Sequence, residues 1–132
     1  VRFVSRLAPR ARVFRPDIAG FSRNPDVLAA MARDPLIDPR PIAARTVAEL
    51  LESMGIIHAR ARGVTLPLLV LHGTADRVTD PRGSEAFLRE VVSSRKRYVP
   101  VPGAYHDLFH EPEAPQLRAT FADWLDLDAP ST

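Results

Sequence analysis

The stretch "LPLLVLHGTADRVTDP", residues 66–81, decides the fold. A short apolar run closed by Gly73 predicts a strand buried on both faces. A polar loop follows, and then Asp80 or Ser84 signals the start of a helix through Ala86, Phe87, Leu88, Val91 and Val92. Next, "RKRYVPVPG", residues 95–103, supplies a second strand, in which Pro100 and Pro102 argue for an edge position or an early end. After "GAYHDLFHE", residues 103–111, and Pro112, a closing helix carries Leu117, Phe121, Trp124 and Leu125. Strand, helix, strand, helix is the pattern of an α/β fold with parallel strands and right-handed crossovers. In such sheets ligands bind beyond the carboxyl ends of the strands. Both polar loops are expected at that end, so two distant segments should converge.

Residues 1–65 have a different character, helical and irregular. "SRNPDVLAAMARDPLI" contains a helix start: Asn24 can accept from free backbone N–H groups and Pro25 suits the first helical position. Val27, Leu28 and Met31 form its stripe, and Asp34-Pro35 ends it. A longer helix is predicted from about Pro41 to His58, with Ile42, Val47, Leu50, Leu51 and Met54 at helical spacing and Gly55 weakening its last turn. Both helices are amphipathic and suited to covering something.

With 132 residues, 45% of them hydrophobic and 26% charged, the chain is long enough for one soluble domain with its own core. No apolar run approaches the ~18 residues of a membrane span, and no signal peptide is visible. The absence of cysteine excludes disulfides and thiolate metal or redox chemistry, and fits a reducing, cytoplasmic setting. Net charge is only +2, and Lys96 is the one lysine among 18 basic residues. Arg2, Arg6, Arg10, Arg12 and Arg15 precede the first acid, Asp17. Without interleaved aromatics or a binding motif they read as a solvated surface segment, and no nucleic-acid partner is expected.

Asp76 lies in the loop leaving the first strand of this half and His106 in the loop leaving the second. An acid and an imidazole so placed are what a hydrolase uses to activate a nucleophile. The carboxylate fixes the tautomer and stabilises the imidazolium, while the ring takes and returns the proton. Taken singly, Asp76 reads as a turn former and His106 as a loop histidine satisfied by backbone groups. Asp80 is the better cap, which leaves Asp76 without an obvious local job. A metal site is the rival: His106 and His110 with Asp107 between them, and Asp76 or His72 as a further ligand. Pro112 argues against one helix through both histidines. His72-Gly73 has the look of an oxyanion-hole motif, but it precedes the acid loop, the wrong place for that role.

"PLLVLHGTADRVTDPRGSEAF" followed by "VPGAYHDLFHEP" resembles the carboxyl-terminal part of the monoacylglycerol lipase and lysophospholipase group of α/β-hydrolases. "FSRNPDVLAAMARDPLI" is similar to the cap segment of its bacterial and plant members, so the resemblance runs from about residue 5 to residue 126. It implies Asp76 as triad acid and His106 as triad base, with His110 and Asp107 as neighbours without a chemical role. It implies residues 1–65 as a lid shaping an acyl-chain pocket and residues 66–132 as the end of the hydrolase core. It implies a small-molecule acyl ester as substrate and no cofactor.

In that group the nucleophile sits in a G-x-S-x-G turn that precedes the acid in the chain. None of Ser5, Ser22, Ser53, Ser84, Ser93, Ser94 and Ser131 is flanked by glycines at that spacing, and Ser84 reads as a cap. The chain opens on Val1. The expectation is therefore the C-terminal part of a larger serine hydrolase, inactive alone, whose partner is the missing N-terminal half of the core. An unpaired strand edge would make it prone to aggregate. Membrane association stays open: the apolar lid face could dock on lipid, but no strongly basic amphipathic helix backs it. Two other readings also stay open. One is a different activity on the same fold, as a peptidase, epoxide hydrolase or dehalogenase. The other is a non-catalytic protein that pairs its open sheet edge with a partner.

Overall fold

The computed structural model describes residues 2–126. Helix α1 (Arg2–Leu7) leads into strand β1 (Arg12–Phe14), helix α2 (Pro25–Arg33), strand β2 (Ile42–Ala43) and helix α3 (Ala44–Ala59). The second half runs β3 (Leu68–Gly73), α4 (Pro81–Glu90), β4 (Lys96–Val101) and α5 (Ala114–Asp126). Strands β3 and β4 pair in parallel, Leu68 with Lys96 through Gly73 with Val101. The helices lie on opposite faces of this ribbon. On one, Ser84 of α4 reaches His72, and Tyr98 donates to the Pro81 carbonyl. On the other, Leu117 of α5 packs with Val101 and Ala104.

Local chemistry sets the helix starts as expected. The Asn24 side chain accepts from the Asp26 N–H, and the Asp80 side chain from the Arg82 N–H, each with proline at the first helical turn. Four sequence expectations need correction. First, the long helix begins at Ala44, not Pro41, because Ile42 and Ala43 pair with β1 in an antiparallel ribbon. The Arg12 guanidinium donates to the Pro41 carbonyl and Arg15 to that of Pro39, so two arginines of the surface segment also staple it down. Second, α3 runs one residue past the expected end at His58, to Ala59, with Gly55 inside it. Third, α4 stops at Glu90, leaving Val91 and Val92 outside, because the Lys96 ammonium takes the carbonyls of Leu88 (2.8 Å) and Val91 (2.5 Å). Fourth, β3 is not buried on both faces. Leu68 through His72 are half-buried, since among the described residues β4 is the only strand pairing with it.

The core is small-residued: Ala44, Ala48, Ala61, Ala104 and Ala114 with Leu88, Val91, Val101 and Leu117. Large apolar side chains lie outside it. Leu50, Leu51, Met54 and Ile57 of α3 are each more than half exposed (54, 57, 51 and 53%). Contiguous apolar exposure of this kind marks a surface made to be covered. No helix among the described residues is long and apolar enough to cross a membrane.

One buried carboxylate ties the two halves together. Glu111, with a side chain 0% exposed, accepts from the Ser22 hydroxyl (2.8 Å), the Arg23 N–H (2.7 Å), the Arg23 guanidinium (2.5 Å) and the Tyr105 N–H (3.1 Å). Arg23 also bonds Glu113. Burial alone pushes the Glu111 carboxyl up. The Arg23 guanidinium and N–H, the Ser22 hydroxyl and the Tyr105 N–H outweigh it and hold the group below its ordinary 4.5. A depressed folded value means the stabilisation is complete above the ordinary value and is lost as pH falls through the folded one. Glu111→Gln should therefore cost about 3 kcal/mol near neutral pH. The difference from the parent should shrink as pH falls below the ordinary glutamate range, read from urea denaturation midpoints.

Candidate active site

Gly73 closes β3 where the backbone of the next loop comes closest. A Cβ there would lie 2.3 Å from the Ala104 carbonyl oxygen and 2.4 Å from that of Tyr105. Only glycine permits this approach. The two loops are then stitched: the Thr74 N–H donates to the Val101 carbonyl, the Ala75 N–H to that of Ala104, and the Gly103 N–H to the Thr74 hydroxyl. Gly103 itself takes φ 70°, a left-handed turn that swings the chain back toward β3.

This stitching brings Asp76 and His106 together across 30 residues. His106 Nδ1 lies 2.9 Å from Asp76 Oδ2. The Asp76 side chain is 2% exposed and that of His106 36%. Asp76 also has the local job that sequence reasoning denied it: Oδ1 accepts from the N–H groups of Val78 (2.7 Å) and Thr79 (3.0 Å). The Thr79 hydroxyl donates to Oδ2 at 2.9 Å. The turn-forming and imidazole-binding roles fall to different oxygens, so they do not compete. Burial pushes the Asp76 carboxyl up, but His106, the two backbone N–H groups and the Thr79 hydroxyl prevail and bring it to about 2. It is an anion at neutral pH, so His106 donates through Nδ1 and is fixed as the tautomer whose Nε2 can take a proton. Among the described residues no group bonds that Nε2.

Residues of the first segment frame the pair. The Phe21 ring meets the His106 ring edge-on, with centroids 5.2 Å apart, and the Asp107 N–H donates to the Phe21 carbonyl at 2.7 Å. Arg77, beside Asp76, pairs with Asp17 at 2.6 Å. His110 turns away and pairs with Asp107 at 2.9 Å. The two histidines of "HDLFH" thus serve separate carboxylates instead of converging.

Sequence reasoning missed two members of the site. His72 Nε2 lies 3.0 Å from Asp76 Oδ2, and its Nδ1 lies 2.7 Å from the Ser84 hydroxyl. Ser84 is therefore inside α4 and facing the sheet, not a cap. The available signal was the four-residue spacing of His72 and Asp76 across a tight turn. Ser22 bonds Glu111 and Ser93 caps the turn before β4, while Ser131 lies outside the described residues.

Comparison with known proteins follows this geometry. The Hydrolase_4 family model (serine aminopeptidase, S33) matches residues 1–113. A monoacylglycerol lipase of Mycolicibacterium smegmatis is 32% identical over 124 residues, 94% of this chain and 44% of that protein. The crystal structure of the Paleococcus ferrophilus monoacylglycerol lipase superposes with a TM-score of 0.85 at 29% identity, covering 94% of this chain and 49% of that one. A soluble variant of Saccharomyces cerevisiae monoglyceride lipase, in complex with a substrate analog, gives a TM-score of 0.79. At 24% identity, over 94% of this chain and 46% of the other, that likeness speaks for the fold alone. The fold is that of an α/β-hydrolase, and the chain spans less than half the length of each of these proteins.

The charge on Asp76 can be checked by titration. Its folded value lies below its ordinary 3.8, so its stabilisation is complete above about pH 4 and is lost as pH falls toward 2. Asp76→Asn should cost on the order of 2 kcal/mol at neutral pH. The cost should shrink as pH falls from about 4 through 2, measured by denaturation at a series of pH values.

Proposed function

The chain belongs to the Hydrolase_4 family of serine hydrolases, and from that premise we propose that it forms the lid, acid and histidine portion of an esterase acting on acyl glycerols or lysophospholipids. Asp76 is the triad acid and His106 the triad base. The nucleophilic serine and the oxyanion N–H groups come from a segment outside these 132 residues. The serine oxygen attacks the ester carbonyl as His106 Nε2 takes its proton. The imidazolium, stabilised by Asp76, then protonates the leaving alcohol. Water attacks the acyl-enzyme as His106 takes its proton, the imidazolium returns that proton to the serine oxygen, and the acyl group leaves as the carboxylic acid. No cofactor takes part.

The single observation carrying this reading is the 2.9 Å contact of His106 Nδ1 with a carboxylate held by three further donors. The pair lies at the carboxyl end of parallel strands, where this fold places its chemistry. The relatives named above as lipases supply the substrate class. The lid role of residues 1–65 is supported by the exposed apolar face of α3. A cleft of about 340 Å³ lined by Met54, Ile57 and Phe87 lies between α3 and α4, with His72 and Ser84 on its wall. The edge of β3 left unpaired among the described residues is suited to the next strand of the parent sheet.

The description of the family model favours a second reading, a peptidase on the same triad, because acyl transfer from esters and from amides uses the same couple. Preferred turnover of aminoacyl amides over glyceryl esters would select it.

In the full-length protein, His106→Ala should lower ester turnover by about 10⁴-fold or more. His110→Ala should leave more than half of it. Equal losses from both substitutions, or activity restored to His106→Ala by added zinc, would overturn the assignment. Steady-state kinetics on a monoacylglycerol read the outcome.

A further inference from the structure

Residues 17–23 touch both of the loops that carry Asp76 and His106. On the acid side, Asp17 pairs with Arg77, the neighbour of Asp76, at 2.6 Å. Gly20 lies so close to that loop that a Cβ on it would sit 2.9 Å from the Arg77 Cβ. The single 3₁₀ turn Ile18–Gly20 leads into Phe21, whose N–H donates to the Ile18 carbonyl at 3.1 Å. On the base side, the Phe21 carbonyl accepts from the Asp107 N–H at 2.7 Å. Ser22 and Arg23 hold Glu111, which in turn accepts from the Tyr105 N–H. The residues before and after His106 are therefore both tied to this one segment.

Between these ties the Phe21 ring meets the imidazole of His106, with centroids 5.2 Å apart and planes at 82°. That contact supplies what the hydrogen bond to Asp76 cannot. The bond fixes one ring atom, Nδ1, and leaves the ring free to pivot about the line of the bond, carrying Nε2 with it. The Thr79 hydroxyl, at 3.5 Å, faces the same atom. The His106 side chain is 36% exposed, so packing does not close that freedom on every side. A crossed contact between two flat rings has a preferred geometry and restricts the plane of the imidazole.

We propose that Phe21 is a positioning residue: residues 17–23 strap the acid and histidine loops together and hold the Phe21 ring against His106, so that Nε2 stays aimed at the nucleophile. The inference deepens the hydrolase reading and rests on it for its catalytic meaning. It gives the first segment a part in turnover beyond covering a substrate. Phe21 also lines a cavity of about 360 Å³ with Ile18, Met31, Ile37 and Ile42. A ring that served only as a wall of that cavity would act on substrate binding, whereas one that aligns the base acts on kcat.

In the full-length protein, Phe21→Ala removes the ring and leaves the Phe21 carbonyl position and the Glu111 clamp in place. Its kcat should fall about tenfold on both p-nitrophenyl butyrate and p-nitrophenyl dodecanoate, with KM within about twofold. Phe21→Leu, which restores apolar bulk beside the imidazole without a ring, should lie between Phe21→Ala and the parent. The proton on His106 Nδ1 gives a readout independent of turnover, through NMR of protein carrying isotopically labelled histidine. Its exchange with water should be several-fold faster in Phe21→Ala than in the parent, and intermediate in Phe21→Leu.

Faster exchange in Phe21→Ala that Leu partly reverses, without ester turnover in the parent, supports the positioning and sinks the hydrolase reading alone. Turnover that depends on His106 but responds to Phe21→Ala only through KM, for the dodecanoate and not the butyrate, overturns the inference and leaves Phe21 a wall of the cavity. So does unaltered exchange of the Nδ1 proton in Phe21→Ala. If Phe21→Ala does not fold, Phe21→Leu decides: exchange and kcat both equal to those of the parent overturn the proposal.

Discussion

The structure depends on the Glu111 carboxylate. It sits out of water and accepts four hydrogen bonds, three of them from Ser22 and Arg23, which lie 88–89 residues earlier in the chain. A buried charge is tolerable only when paired and saturated with donors, and losing one partner leaves an uncompensated anion. Glu111 therefore holds the loop before α2 and the loop before α5 in one arrangement. The fourth bond comes from the Tyr105 N–H, next to His106 in the chain. Through it the loop before α2, the histidine loop and the sheet end are placed as one unit. The Phe21 ring against His106 and the Asp107 N–H on the Phe21 carbonyl follow from that placement.

A second constraint acts within the sheet. The Ala104 and Tyr105 carbonyls approach the end of β3 closely enough that only Gly73 fits beneath them. That approach brings Asp76 and His106 within hydrogen-bond distance, while Asp76 is anchored independently by its own turn. The carboxylate is thus oriented independently of the imidazole, which the proposed support of a developing imidazolium requires. By contrast, α3 presents its apolar face outward, and β3 has an open edge among the described residues. The Asp76–His106 pair is closed by partners among the described residues, whereas the apolar face of α3 is exposed.

What could be read in the sequence was local or periodic. Asn24-Pro25 and Asp80-Pro81 announce helix starts because capping involves residues two apart. The apolar run of β3 and the helical spacing of α4 fixed the parallel pairing, and with it the convergence of the Asp76 and His106 loops. Features that depend on distant partners stayed hidden. The β1–β2 ribbon, three and two residues long, has no periodicity to detect and is stapled by Arg12 on the Pro41 carbonyl. The end of α4 is set by Lys96, which lies beyond the helix. Neither Glu111 nor Arg23 carries a local signal of partnership, and His72 reads in the sequence only as a metal ligand or part of a misplaced oxyanion-hole motif. The turn around Asp76 was misjudged because Asp80 took the capping role and a carboxylate was credited with one task instead of two.

The most direct test is to trap the nucleophile. The full-length protein would be treated with a fluorophosphonate and digested, and the modified residue located by mass spectrometry. The expected result is a single adduct on a serine outside these 132 residues, formed rapidly in the parent and at a small fraction of that rate in Asp76→Asn. Labelling of Ser84 or another serine within this chain, or labelling indifferent to Asp76, would contradict the role given to the Asp76–His106 couple.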